Sequence, residues 1–172
     1  GIPFEAGGAK AFADAPEAGL LCDLVSSLAD PDDAVRLVGV LRGGLFGLDD
    51  PALYRNRSHS GSFRFAGGPE EQGDPGVLTA LRRLAALHAE TRRLPAAAAL
   101  ERLLEETGLL ALAAAGEGAG LSAGAILGAL ERIRRAAHGG APFAEVARLL
   151  EREMDNPDAE SSPLEPGRAA VV

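Results

Sequence analysis

The stretch from Arg42 to Asp49 contains residue types that can hold a phosphate group. Arg42 precedes Gly43 and Gly44, and Gly47 follows shortly after them. Glycines let backbone amides approach an anion closely, and an arginine adds a positive charge beside them. The sequence therefore predicts a phosphate contact at this turn. The alternative is a helix–helix corner whose apolar residues fill the core.

A second candidate lies in residues 55–65, where arginine and aromatic side chains are interleaved. It begins with Arg55 and Arg57 and ends at Phe65. Such a pattern is typical of nucleic-acid contacts, because arginines pair with phosphates while aromatic rings stack on bases. The alternative is a flexible surface loop, since residues 56–74 are rich in polar residues and glycine and form a long connection.

Charge is distributed unevenly over the 172 residues. The net charge of -8 argues against a general nucleic-acid-binding protein. Residues 55–93 nevertheless carry 7 basic and 4 acidic side chains, whereas residues 1–54 carry 3 basic and 9 acidic ones. This basic region predicts a local contact with a polyanion, with an ordinary solvated surface as the alternative.

Residues that catalyse reactions or bind metals do not group in the sequence. The histidines at 59, 88 and 138 are far apart, and none has zinc-like spacing to Cys22, the single cysteine. No phosphate-binding glycine loop ends in Lys-Ser or Lys-Thr. We therefore expect no active site, metal or cofactor in this chain. The lone cysteine and the lack of a long apolar run predict a cytoplasmic location without membrane contact.

The apolar periodicity predicts an all-α fold of about seven helices. Asp30 and Pro31 are expected to begin the second long helix, with Val35 in its buried stripe, and Ser122 is expected to cap a later one. Residues 2–6 and 168–172 instead resemble short strands. Helical spacing or helix-start signals occur over residues 14–29, 31–41, 50–55, 74–91, 95–106, 109–114, 122–138 and 142–154.

Five segments of the chain carry a resemblance to a known family. They are GIPFEAGG at 1–8, LADPDD at 28–33, VGVLRGGLFGLDD at 38–50, LERLLEETGLL at 100–110 and FAEVARLLE at 143–151. These segments resemble UvrD/Rep-like superfamily 1 DNA helicases, and most closely the branch with AddA- and RecB-like helicase-nuclease subunits. The resemblance covers nearly the whole chain and is most specific over the first 53 residues. It implies the helical 2B accessory subdomain, which lies between the fourth and fifth motifs of these helicases.

The resemblance also implies a domain organisation. Residues 1–12 would be a remnant strand and linker of motor domain 2A, residues 13–155 the 2B-like domain, and residues 156–172 a linker and strand returning to 2A. The chain would then be a piece of a larger protein. Because inserted domains need neighbouring ends, we expect the two terminal strands to approach each other.

The function implied is a non-catalytic role in an ATP-dependent DNA helicase of DNA repair, whose ATP and Mg would be bound outside this chain. The partners would be duplex or forked DNA, the motor domains of the same chain and a helicase-nuclease partner subunit. In relatives a glycine turn that maps onto residues 46–48 touches the duplex backbone, although simpler helicases have two glycines there. The alternative is a protein-interaction module that docks a partner subunit or the motor domains. The candidate DNA-backbone contacts are Arg42, Gly43, Gly44, Gly47, Arg55 and Arg57.

Overall fold

The computed structural model describes residues 8–59, 61–67, 72–115, 119–136 and 141–156, and the regular structure of these residues is entirely α-helical. The all-α prediction is therefore confirmed for this part of the chain, with nine helices rather than about seven. The strands predicted at 2–6 and 168–172, and the approach of the two ends, lie outside the described residues. The helices are α1 (Gly8–Ala13), α2 (Pro16–Ala29), α3 (Ala34–Arg42), α4 (Asp50–Ser58), α5 (Pro75–Thr91), α6 (Ala96–Thr107), α7 (Leu109–Ala115), α8 (Ala119–Ala136) and α9 (Phe143–Asp155).

The central helix of the fold is α2, which contacts α1, α3, α5, α7, α8 and α9. It begins at Pro16, whose fixed φ suits the first helical turn. Leu21, Leu24 and Leu28 are each at most 1% exposed and recur at helical spacing. Burial of each such side chain stabilises the fold by about 2 kcal/mol relative to an exposed position. The core is thus built around one apolar helix.

Helix α3 begins later than the sequence predicts, so the assignment of Asp30 as its N-cap is wrong. Asp33 is the cap, because its Oδ1 accepts a hydrogen bond from the Arg36 amide at 2.9 Å. Asp30 instead ends α2, where its amide donates to the Ser26 carbonyl at 2.9 Å. Since Asp30 still belongs to the preceding helix end, Pro31 lies in the turn between the helices and not at the first helical position.

Val35 is 86% exposed, and its predicted place in the buried stripe of α3 is wrong. The buried residues of this helix are Leu37, Val40 and Leu41. Val35 lies two residues before Leu37, which is about 200° around the helix axis at 3.6 residues per turn. It therefore points away from the core that Leu37 enters.

Ser122 does not cap α8, because this helix begins at Ala119 and Ser122 is a buried residue inside it. The start of α8 carries Gly120 and Gly124, which have a low intrinsic preference for helix. Helix α8 packs against α7 and α1. Tertiary contacts thus override the local preference, which is why the sequence placed the start too late.

Helix α1 was not predicted, and it packs on α8 and α9. Its Phe12 is fully buried. Residues 8–12 fall in the segment 1–12 that the sequence analysis assigned to a strand and linker. In the structure they are helical, and Phe12 belongs to the core of the helical body.

Polar contacts connect α9 with the helices around it. Glu151 accepts hydrogen bonds from the Ser26 hydroxyl at 2.8 Å and from the Arg36 guanidinium at 2.6 Å. The bond from Ser26 lowers the pKa of Glu151, and although burial acts in the opposite direction, the bond and charge of Arg36 lower it further. Arg132 of α8 makes two hydrogen bonds to Glu153, at 2.8 and 2.6 Å. These charge-assisted bonds fix α9 against α2, α3 and α8.

Candidate nucleic-acid interface

The turn between α3 and α4 is held by its own backbone. An amide that already donates to a carbonyl group has no second hydrogen for a phosphate. Of residues 43–48, only Gly44 and Leu45 have amides without an acceptor in the described part of the chain. The other amides donate from Gly43 to Gly39 at 2.9 Å, from Phe46 to Gly43 at 3.1 Å, from Gly47 to Gly43 at 2.8 Å and from Leu48 to Leu41 at 3.0 Å.

The glycines of this turn are explained in part by the corner itself. A Cβ atom on Gly43 would lie 3.2 Å from Leu20 Cδ2, so glycine allows α2 to approach. Gly47 has a φ of 60°, in the left-handed region that favours glycine, and open space around it. A Cβ on Gly44 would make an ordinary 3.5 Å contact with Leu20. The corner is thus observed, while a phosphate contact at Gly43, Gly44 and Gly47 stays a prediction.

Arg42 is exposed, and its Nε atom lies 3.0 Å from Asp50 Oδ1. The neighbouring Asp49 is used locally, because its Oδ1 accepts a hydrogen bond from the Ala52 amide at 2.8 Å and so caps α4. An ion pair as exposed as that of Arg42 contributes at most about 1 kcal/mol. A phosphate can therefore replace Asp50 as the partner of Arg42 at low cost.

Arg55 is engaged in an internal ion pair. Its Nε and Nη2 atoms both lie 2.9 Å from Oδ2 of Asp74, which is only 9% exposed. Burial by itself would raise the pKa of Asp74, but the hydrogen bonds from Arg55 and from the Gly76 and Val77 amides outweigh it and lower the pKa. Arg55 thus joins α4 to the start of α5, and a DNA contact by this residue would compete with that bond.

Asn56 is fully buried, and it connects both ends of the segment that follows α4. Its Oδ1 accepts a hydrogen bond from the Asp74 amide at 3.1 Å, and its carbonyl oxygen accepts one from the Gly61 amide at 2.9 Å. The sequence pattern alone did not point to Asn56. Its signal is its position, because it is a polar residue in the buried stripe of α4 that also contains Ala52 and Leu53.

Phe65 anchors the far end of the same segment. It is fully buried and meets His88 edge to face, with ring centroids 5.7 Å apart. The Nδ1 atom of His88 in turn lies 2.9 Å from the Leu28 carbonyl oxygen. The described part of the arm, residues 55–59 and 61–67, is therefore anchored to the helical body at Asn56 and Phe65, where the sequence pattern suggested a nucleic-acid contact or a flexible surface loop.

Arg57 and Tyr54 lie on the exposed side of α4. The helix continues to Ser58 rather than ending near residue 55, so Arg57 is helical. Arg57 is exposed and forms no ion pair with the residues that the structure describes, and Tyr54 is 75% exposed. Residues three apart are neighbours on a helix surface, so Tyr54 and Arg57 project from the same side of α4. Tyr54 was missed by the sequence analysis, although it lies outside the buried stripe of α4.

The low pKa of Asp74 predicts that the stability of the fold decreases at acid pH. Because the unfolded pKa of an aspartate is about 3.9 and the folded one is lower, this carboxylate stabilises the fold above pH 4 and loses that effect as pH falls. We expect Asp74→Asn, which retains a side-chain oxygen for capping α5, to lose stability less steeply than the natural chain between pH 5 and 3. Urea unfolding at several pH values measures this, and equal slopes would contradict the role of Asp74.

A metal cluster, a reactive thiol and a membrane span are the other features that could carry a function. No described group of three or more His, Cys, Asp or Glu side chains is placed to hold a metal ion. Burial, with smaller effects from nearby acidic residues, raises the pKa of the Cys22 thiol to about 12, so the thiol stays protonated at neutral pH. None of the described helices combines the length and hydropathy needed to cross a bilayer.

Comparison of the chain with protein-family models, curated proteins and solved structures finds no match. The resemblance to UvrD/Rep-like helicases stays an expectation from the sequence segments quoted above. The structure shows an exposed corner, defined here as the α3–α4 corner and consisting of Arg42, Tyr54 and Arg57 with the turn at residues 43–49.

Proposed function

We propose that this chain is a non-catalytic accessory domain of a UvrD/Rep-like DNA helicase, which contacts the backbone of duplex or forked DNA or regulates unwinding. The observation that carries the proposal is the α3–α4 corner, where two arginines and a tyrosine are exposed beside a glycine turn. The helical fold of the described residues is compatible with an accessory subdomain of this kind. A cytoplasmic location and a role in DNA repair belong to the same proposal.

The two arginines of the corner suit contacts with two phosphates of one DNA strand. Arg57 lies seven residues after Asp50, the partner of Arg42. At 1.5 Å per residue, Asp50 and Arg57 are separated by about 10 Å along the axis of α4. Phosphates on one DNA strand lie a comparable distance apart over a few nucleotides. Tyr54 can stack on a base or sugar at the junction of a fork, where bases are unpaired.

In this proposal ATP and Mg act in the motor domains of the helicase, outside this chain. The accessory domain supplies only binding energy and orientation. Its contact with DNA would be weak, because the net charge of the chain is -8 and the positive groups are confined to a small surface. The motor domains, and a partner subunit in a helicase-nuclease, would then provide most of the affinity.

The DNA contact is tested by fluorescence anisotropy with a labelled forked duplex at low salt. We expect Arg57→Ala to weaken binding about tenfold and to reduce the slope of log K against log salt concentration by about one, as for the loss of one phosphate contact. Arg82→Ala is the matched control, because Arg82 is an exposed arginine of α5 away from the corner. Absence of binding at low salt, or an equal loss in both variants, would contradict the DNA contact.

A protein-interaction role is the second candidate, and the exposure of Val35 favours it. Val35 is 86% exposed on α3, with Gly39 and Arg42 following on the same side at positions i+4 and i+7. The occupant would be the motor domains of the same helicase. Val35→Ser, which removes the apolar side chain without adding a charge, is expected to weaken binding to separately produced motor domains and to leave DNA binding unchanged. The reverse result would favour the DNA contact alone.

A further inference from the structure

A cavity of about 380 Å³ lies where α2 and α5 end and α9 begins. Its walls include Leu28 from α2, His88 and Arg92 from the end of α5, and Phe143 and Ala144 from the first turn of α9. None of the residues that form the α3–α4 corner lines this cavity. The volume is at the small end of the range for ligand pockets, which is about 300–1,000 Å³.

Two basic side chains contribute to the cavity. Arg92 is exposed and forms no ion pair with any residue in the described ranges. The Nδ1 atom of His88 lies 2.9 Å from the Leu28 carbonyl oxygen, which can only accept, so Nδ1 carries a hydrogen. The second ring nitrogen, Nε2, can then accept a hydrogen bond from a hydroxyl group. A phosphate group that carries one proton offers such a hydroxyl.

The start of α9 adds further donors to the same space. The residue before this helix is Pro142, which has no side-chain capping group, and the helix continues for 13 residues. Amides in the first turn of a helix have no acceptor within it, and the helix dipole favours an anion there. Glu145, the acidic residue of this turn, does not line the cavity. The opposite effect comes from the ends of α2 and α5, whose carbonyl groups favour a cation.

We propose that this cavity binds the phosphate group of a small phosphomonoester. Arg92 supplies the charge, His88 Nε2 accepts a hydrogen bond from the phosphate hydroxyl, and the amides of Phe143 and Ala144 donate to the other phosphate oxygens. The apolar walls from Leu28 and Phe143 take the organic part of the ligand. The proposal depends on this cavity alone and is independent of any DNA contact at the α3–α4 corner.

The test is a titration of the ¹⁵N-labelled chain with inorganic phosphate, followed by the amide signals of Phe143 and Ala144. We expect saturable shifts at millimolar phosphate that potassium chloride at equal ionic strength does not reproduce. Arg92→Ala should weaken the affinity at least tenfold, while the neighbouring exposed Arg93→Ala leaves it unchanged. Equal effects of the two substitutions, or shifts that chloride reproduces, would overturn the proposal.

His88→Asn provides a second variant, because asparagine retains a donor for the Leu28 carbonyl but lacks Nε2. We expect it to weaken phosphate binding about fivefold, measured well below its thermal midpoint, which the lost ring contact with Phe65 lowers. A wild-type affinity of this variant would remove His88 from the site and overturn the proposed set of phosphate contacts. A forked duplex is titrated in parallel. Shifts at Phe143 and Ala144 with the duplex but not with phosphate would also overturn the proposal, whatever the result for Arg57.

Discussion

Replacement of Gly73 with alanine is expected to lower the free energy of unfolding by about 2–4 kcal/mol. Gly73 has a φ of 151°, which a residue with a side chain rarely adopts. A Cβ atom there would overlap Asn56 Oδ1. Asn56 cannot move aside freely, because it is fully buried and that oxygen accepts the hydrogen bond from the Asp74 amide. The substitution therefore strains the backbone and displaces a buried polar side chain together.

Urea denaturation of the two alanine variants at Gly73 and Gly67 measures this effect. Gly67 also has a positive φ, of 90°, but a Cβ on it meets no atom within 4 Å. Gly67→Ala should therefore cost only the backbone strain, about 1–2 kcal/mol. Equal losses in the free energy of unfolding of the two variants would show that the overlap with Asn56 does not contribute to the loss.

A double-mutant cycle separates the overlap from the strain. Asn56→Ala removes the atom that Gly73→Ala would meet, so alanine at 73 should cost at least 1 kcal/mol less in that background. Asn56→Ala alone is expected to destabilise the chain, because it leaves the Asp74 amide buried without its acceptor. Additive effects of the two substitutions would show that these residues do not interact.

The helix boundaries that the sequence predicted correctly are those with a strong local signal. Asp74 and Pro75 begin α5, and the Asp74 carboxylate accepts from the Gly76 and Val77 amides as a capping residue should. Gly108 ends α6 with a φ of 68°. These residues determine backbone geometry within one turn, so no knowledge of distant parts of the chain is needed to interpret them.

The boundaries that were wrong depend on contacts distant in sequence. Asp30 and Asp33 are both good capping residues, and the choice between them depends on where α2 ends. Helix α1 has only six residues, too few for a periodic pattern, and its position reflects packing on α8 and α9. Local sequence patterns hold no information on these contacts.

The lack of information on distant contacts also limits what the sequence could predict about the candidate site. It identified exposed Arg42 and Arg57 from residue type alone. It could not show that Arg55 pairs with Asp74, 19 residues later, because an arginine in a polar segment looks the same whether it faces solvent or a buried carboxylate. Tyr54 was missed because its exposure depends on which side of α4 packs on α5.

Phe12→Ala is expected to lower the free energy of unfolding by about 3–5 kcal/mol, the usual loss for a fully buried phenylalanine. Helix α1 packs against α8 and α9. Removal of the ring leaves a cavity between these helices, and the cavity cannot close unless the helices move. Thermal or urea unfolding of the variant measures the loss.

The control is Lys10→Ala, at an exposed position of the same helix, which should change stability by less than about 0.5 kcal/mol. Phe12→Leu should lie between the two, since it retains most of the apolar volume. The result bears on the domain boundary. If residues 8–12 were a linker, as the sequence suggested, Phe12→Ala would resemble Lys10→Ala. A large loss confined to Phe12 requires instead that the helical body includes residue 12, because a side chain stabilises a fold only if it is buried there.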